Sequence, residues 1–283
     1  MPNCIWQGDV STDPTVNGNW STGAVPAAGD DVIFDGTAQA DCVGGPLAGV
    51  QIISLTITAD CTINIGASAA DALDLDCAGP VNDWGSGVRY LNVQNSTSWN
   101  VGGSGTCYVD GIDNDGLTIN STGTVVVGPI ITVPAEFNTT IVVINGTVTF
   151  HYVTDQAAAA TNVMVLGGTV YCYDDWDVVQ VFGGNVYQHD GSGLSVYVYG
   201  GILYWNSTDK CGDTILEVYT EGEATFKHNA GGCTVDACKI YGGTVDDPNG
   251  MVTWTTAVEV HGLDSSATIN WGPQKKHTIA AIV

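Results

Sequence analysis

From about residue 50 onward the chain repeats itself: eleven times, a short β-rich run ends on a turn of glycine, asparagine or another small polar residue. The clearest copies are VMVLGGTVYCY (Val163 to Tyr173), VVQVFGGNVYQH (Val178 to His189), VYVYGGILYWN (Val196 to Asn206) and KIYGGTV (Lys239 to Val245). The residue just before each turn serves as an anchor, and the anchors fall at 58, 76, 94, 120, 144, 166, 182, 199, 219, 241 and 261. They lie 16 to 26 positions apart. A unit recurring every ~20 residues specifies a solenoid, in which each coil covers the apolar face of the next.

Within a copy the side chains alternate. In VYVYGG, Val196, Val198 and Gly200 point one way, and Tyr197 and Tyr199 the other. Period two combined with Val, Ile, Thr and Tyr means strand. The Gly-Gly pairs at 167–168, 183–184, 200–201 and 242–243 suit corners that need positive φ or a close backbone approach. No run carries the apolar spacing of an amphipathic helix over three turns. The expected fold is all-β: a single-stranded-type parallel β-helix (β-solenoid) of about eleven coils. A β-sandwich or jelly roll is the rival, but it gives no reason for the whole unit to recur.

The 283 residues, with 44% hydrophobic content and 37 glycines, suffice for one extended domain of many rungs. Thirty acidic residues against six basic ones leave a formal charge of −24, which repels phosphate backbones and anionic membranes, so neither nucleic acid nor membrane is an expected partner. No basic, apolar leader opens the chain, and no stretch of 18 apolar residues occurs in it. Nine cysteines are scattered about one per coil, several at strand positions like Cys172, and read as buried free thiols folded in a reducing cytoplasm.

Residues 1–50 differ from the rest and are expected to form an N-terminal cap and first rung, with the solenoid proper over 51–283. They contain Trp6-x-Gly8-Asp9 and then NWSTGAVPAAGDDVIFDG, Asn19 to Gly36. The pattern NW-S-x-G-x-VP-x-x-GDDVIF, carried by Trp6, Trp20, Pro26, Gly29, Asp30 and Asp31, resembles the opening segment of many parallel β-helical surface proteins. These include autotransporter-type adhesins and structural proteins of tailed bacteriophages. The resemblance covers about 35 residues closely and the Gly-Gly rungs more loosely. It implies a non-enzymatic virion component, a capsid decoration, fibre or tail-associated protein, folded in the host cytoplasm and assembled with other virion proteins. The alternative it leaves open is a cell-surface adhesin or carbohydrate-binding module. The two tryptophans are expected to close the exposed solenoid end, and Asp30 and Asp31 to satisfy turn amides.

Candidate sites follow from side-chain chemistry. Alternation must leave one set of aromatics outside, and Tyr171, Tyr173, Trp176, Tyr187, Tyr197, Tyr199 and Trp205 are the candidates for a homo-oligomer interface, a trimer above all, or for contact with a host glycan. Tyr204, Tyr219 and Tyr241 extend the set. Asp110, Asp113 and Asp115 in DGIDNDG place hard oxygens beside glycines and are the candidates for calcium, although the first gap is three and the closing glutamate is missing. His228, Cys233 and Cys238, with Cys211 upstream, are the zinc candidates. Asp174, Asp175 and Asp177 are the only acidic cluster beside a tryptophan that a glycosidase could use. With Arg89 the only basic residue of the first two hundred and no pectinase signature present, no catalytic residues are assigned and no cofactor beyond calcium is expected.

Overall fold

The computed structural model describes residues 3–282 except 44–46, 48, 112, 129–136, 138–139, 152–161, 174–177, 190–194, 206–213, 227–232, 249, 251, 262–266 and 272–278. Strands make up 59% of the chain, and the sheet they form is parallel and wound as a β-solenoid. A single 3-10 turn, Asn17–Asn19, is the only helical element among the described residues. The chain divides into two units: Met1–Ile141 with Asn145–Ala159, and Val142–Ile144 with Ala160–Val283.

In the first unit, strands Asn3–Ile5, Asp31–Phe34, Ser54–Ile57, Pro80–Asp83, Ser98–Val101 and the start of Leu117–Val127 pair in parallel, each on the next. Their register stacks Cys4, Val32, Leu55, Val81, Trp99 and Leu117 in one inward column, and all six are fully buried. A second inward column holds Leu73, Leu91, Val109 and Val127. The second unit repeats the scheme with shorter coils. Val163, Val179, Val196 and Leu216 stack on one face, and Val170, Val186 and Leu203 on another, none more than 1% exposed. Each inward Val or Leu contributes roughly 1.5–3 kcal/mol of apolar burial, and parallel pairing makes the burial two-sided along the stack.

The corners explain the Gly-Gly pairs. Gly201 has φ +73°, and a Cβ there would lie 2.6 Å from the Gly184 carbonyl oxygen one rung below. Only glycine allows both that φ and that approach.

The count of about eleven coils needs adjustment. Thr58 and Asp76 lie on one coil, because Ser54–Ile57 and Leu73–Cys77 are both laid down before Pro80–Asp83 returns to pair with the former. The coil of Ser98–Val101 and Thr106–Asp110 carries no anchor, although Gly102, Gly103 and Gly105 turn the chain between its strands. The head contributes levels of its own to the stack. Asn3–Ile5 and Asp31–Phe34 are themselves levels of the first unit's stack.

The head nonetheless carries an aromatic cluster. Trp6 and Trp20 meet edge-on at 5.1 Å, and each lies about 6 Å from Phe34 (6.1 and 6.0 Å). Both tryptophans are buried, with Trp6 Nε1 donating to the Ala40 carbonyl at 2.9 Å and Trp20 Nε1 to that of Pro14 at 2.8 Å. Asp30 accepts the Ala27 N–H as a turn residue should, at 2.8 Å. Asp31 instead accepts the hydroxyl of Ser54, its partner on the next rung, at 2.6 Å.

Candidate functional site

In the second unit the outward residues form columns because the register is parallel and in phase. The most extended holds Phe182, Tyr199, Tyr219, Tyr241 and His261, stacked ring on ring at 4.7, 4.5, 4.9 and 4.8 Å with interplanar angles of 13–24°. Leu166 and Ile144 occupy the same turn position on the preceding rungs and are 44% and 39% exposed. Seven rungs spaced ~4.8 Å apart make a ridge about 29 Å long. Every member is a residue immediately before a turn, and none is Asp, Glu, Lys or Arg.

The strand beside the ridge carries Met164, Gln180, Tyr197, Glu217, Lys239 and Glu259 in register. Its charged half alternates in sign, and Lys239 Nζ sits 3.2 Å from Glu217. Tyr219 donates its hydroxyl to Glu217 at 2.9 Å, and its pKa is raised by partial desolvation together with that bond and the glutamate charge. A third outward column stacks Tyr171, Tyr187 and Tyr204 at 5.0 and 4.7 Å, with Tyr173 on His189 at 4.4 Å.

Tyr171, Tyr173, Tyr187, Tyr197 and Tyr199 therefore all face outward. Trp205 does not: it is 1% exposed and points inward with Leu203, in the column of Cys172 and Gln188. Tyr204 and Trp205 are neighbours in sequence, so strand alternation admits only one of them to the surface. Trp176 and the cluster Asp174, Asp175, Asp177 lie outside the described residues, as do His228, Cys211 and the side chain of Cys233. The ridge members Ile144, Leu166, Phe182 and His261 were missed as surface residues, although their anchor positions marked them.

Asp110, Asp113 and Asp115 are not drawn together: among the described residues no three His, Cys, Asp or Glu side chains form a metal-holding group. Asp110 is 2% exposed and accepts the Gly111 N–H at 2.8 Å, while Asp113 is exposed with φ +57°. Between them Asn114 turns inward, accepting the Ser96 N–H at 3.1 Å and hydroxyl at 2.5 Å and donating to the Val93 carbonyl at 3.0 Å. The loop thus joins two coils through asparagine.

The first unit has a different character. Its core holds an ion pair, Arg89 Nε to Asp83 Oδ2 at 2.9 Å, with both side chains fully buried. Arg89 Nη1 also donates to the Gly87 carbonyl, Asp83 accepts the Gly85 N–H at 3.0 Å, and Nη2 is buried with no hydrogen-bond partner. Cys107 lies beside the pair, and burial first, then the Asp83 charge, pushes its thiol far above the ordinary range. Six cysteines, Cys4, Cys42, Cys61, Cys77, Cys107 and Cys238, are buried free thiols, and Cys172 is buried as well.

Outside this core runs a groove of about 310 Å³ lined by Asp41, Val43, Asn64, Gly66, Val88 and Tyr90, with Ala67 at its edge. Tyr90 stacks on Tyr108 at 4.3 Å and 7°. Asn64 donates its N–H and Nδ2 to the two oxygens of Asp41 at 2.8 and 3.1 Å, and accepts the Val88 N–H at 2.9 Å. None of these residues was a candidate from the sequence, and only the matched YL and YV parity at positions 90 and 108 hinted at the ring pair.

No known protein family, curated protein or solved structure matches the chain. Among the described residues no helix is long and apolar enough to cross a membrane.

Proposed function

We propose that the chain is a non-enzymatic structural component of a bacteriophage-type virion, a decoration, fibre or tail-associated rod, whose uncharged aromatic ridge packs against further copies of itself. The ridge is the observation that carries this reading. On a protein of net charge −24, like copies can approach closely only where charge is missing or balanced. The column from Ile144 to His261 lacks Asp, Glu, Lys and Arg, His261 lies 3.1 Å from Glu259, and the neighbouring column alternates Glu217, Lys239 and Glu259. Stacking supports a protein partner over a sugar here. The faces of Tyr199, Tyr219 and Tyr241 are covered by one another, so the ridge offers ring edges, which pack well against an apolar surface. The buried free thiols accord with folding in a reducing host cytoplasm, and the N-terminal pattern resembles that of tailed-phage structural proteins.

Light scattering on the full chain tests the proposal. A closed oligomer, a trimer in the simplest case, is expected, and Leu166→Asp with Phe182→Asp should reduce it to a monomer, since both side chains already face solvent. A wild-type monomer at every concentration would overturn the interface. A mass that falls on adding a chelator would bring in calcium as a link between copies. Co-purification with intact particles in fixed copy number tests the virion assignment itself. The second reading, a carbohydrate-binding surface module, is favoured by the groove of the first unit rather than by the ridge.

A further inference from the structure

We infer that Tyr219 is a site of oxidative cross-linking, at which a carbon–carbon bond joins it to a tyrosine stacked on it from a neighbouring rung, Tyr199 or Tyr241. Coupling of two phenols needs rings held in contact and a base that takes the phenolic proton as the electron leaves. Both are present. Tyr199 and Tyr241 stack on Tyr219 at 4.5 and 4.9 Å, with interplanar angles of 24° and 13°. The Tyr219 hydroxyl donates to Glu217 Oε2 at 2.9 Å. The other oxygen of that carboxylate, Oε1, lies 3.2 Å from Lys239 Nζ, which holds the group in place.

Strand alternation makes this arrangement. Glu217 and Tyr219 flank the buried Val218 on Thr214–Phe226, so both face outward from one rung. Parallel register sets Tyr197 and Lys239 beside Glu217 on the rungs to either side. Desolvation raises the Tyr219 pKa first, then the bond to Glu217 and its charge, with Tyr199 and Tyr241 adding to the effect. The phenol therefore stays protonated at neutral pH, and its proton must move as it is oxidised. The first unit supplies the contrast. Tyr90 and Tyr108 stack more closely, at 4.3 Å and 7°, but the bond their phenols make is to each other and no carboxylate serves them.

In the reaction each phenol gives one electron to a one-electron oxidant, a high-valent metal complex or an organic radical. Tyr219 passes its proton to Glu217, and the partner tyrosine passes its proton to water. The two phenoxyl radicals couple through ring carbons ortho to oxygen, the ortho hydrogens leave as protons, and both oxygens are reprotonated. Two electrons and two protons are lost in all; two C–H bonds break and one C–C bond forms. The product is a covalent staple between successive coils. It goes beyond the packing role of the ridge and forms before the ridge is covered.

Photo-oxidation of the full chain with a ruthenium tris-bipyridine complex and persulfate tests this. Leu166→Asp with Phe182→Asp is the background, because it leaves the ridge uncovered whether or not the wild-type chain associates. Dityrosine fluorescence is expected, and peptide mapping should recover Tyr219 joined to Tyr199 or Tyr241 within one chain. Glu217→Gln keeps a hydrogen-bond acceptor but loses the base, and should slow this coupling at least tenfold, on the order of what a positioned proton acceptor contributes. Coupling of Tyr90 to Tyr108 should be slower than that of Tyr219 and unaffected by Glu217→Gln. Tyr219→Phe should remove the ridge cross-link, since Tyr199 and Tyr241 are two rungs apart and cannot replace it. No link at Tyr219, an undiminished rate in Glu217→Gln, faster coupling at Tyr90, or links only between chains would overturn the inference. The readout lies within one chain, so failure of the ridge interface and failure of the staple are read separately.

Discussion

The two units use the same parallel stacking to opposite ends. In the second, short coils of 16 and 17 positions (Val163 to Val179, Val179 to Val196) keep successive rungs in phase, the core is mostly aliphatic with Trp205, Gln188 and Asp247 buried among it, and outward rings stack into a closed column. In the first, coils of 28, 23 and 26 positions (Cys4 to Val32 to Leu55 to Val81) vary in length between rungs, and the core holds a buried ion pair. Regularity produces a surface of stacked ring edges, and irregularity a groove.

The largest effect that separates the units is in their cores. Val165 and Val181 are paired on adjacent rungs and fully buried. Val165→Asp places an unpaired charge in an aliphatic stack, and loss of soluble expression is expected, a cost above about 5 kcal/mol. Wild-type melting of that variant would break the aliphatic half of the comparison.

Asp83→Ala in the first unit leaves the Arg89 charge buried alone and should cost about 3–5 kcal/mol in urea unfolding. Replacing both residues with apolar ones of similar volume should restore much of that. If the single and double changes cost the same, the pair is not what distinguishes this core.

Alkaline titration sharpens the contrast by unit. Burial pushes Cys61 of the first unit up to about 11 and Cys238 of the second up to about 12, from 9.0. Folded pKa values above the unfolded one mean that this stabilisation is complete below pH 9 and is lost as pH rises through the folded values. Unfolding free energy should decline above pH 9, by at most about 1.4 kcal/mol per pH unit for each thiol. A flat profile from pH 8 to 11 would contradict that burial. The smallest effect is on the ridge, where Tyr219→Phe removes the bond to Glu217 and should cost about 1 kcal/mol or less.

Much of the second unit was legible in the sequence because its signals are local. Alternation in VYVYGG assigns Val196 and Val198 inward and Tyr197 and Tyr199 outward, and the structure agrees. Trp205 was expected outside, yet the same alternation applied to ILYWN puts it inward beside an outward Tyr204, and the structure does so. The first unit was less legible. Its Gly102–Gly103 turn follows no clear copy of the repeat, and Gly66, Asn64 and Asp41 are unremarkable one at a time.

Parity and recurrence belong to the sequence alone: a period-two run shows which side chains face the core, and a recurring run requires a stack. Register belongs to the tertiary structure. Coil length varies from 16 to 28 positions, and the chain between strands can bulge outward without disturbing the ladder, so sequence distance does not reveal which outward residues share a column. Ring stacking and the Asp41–Asn64 pairing both depend on that vertical alignment. It is decided by which backbone hydrogen bonds form between coils, not by the residues of any single coil.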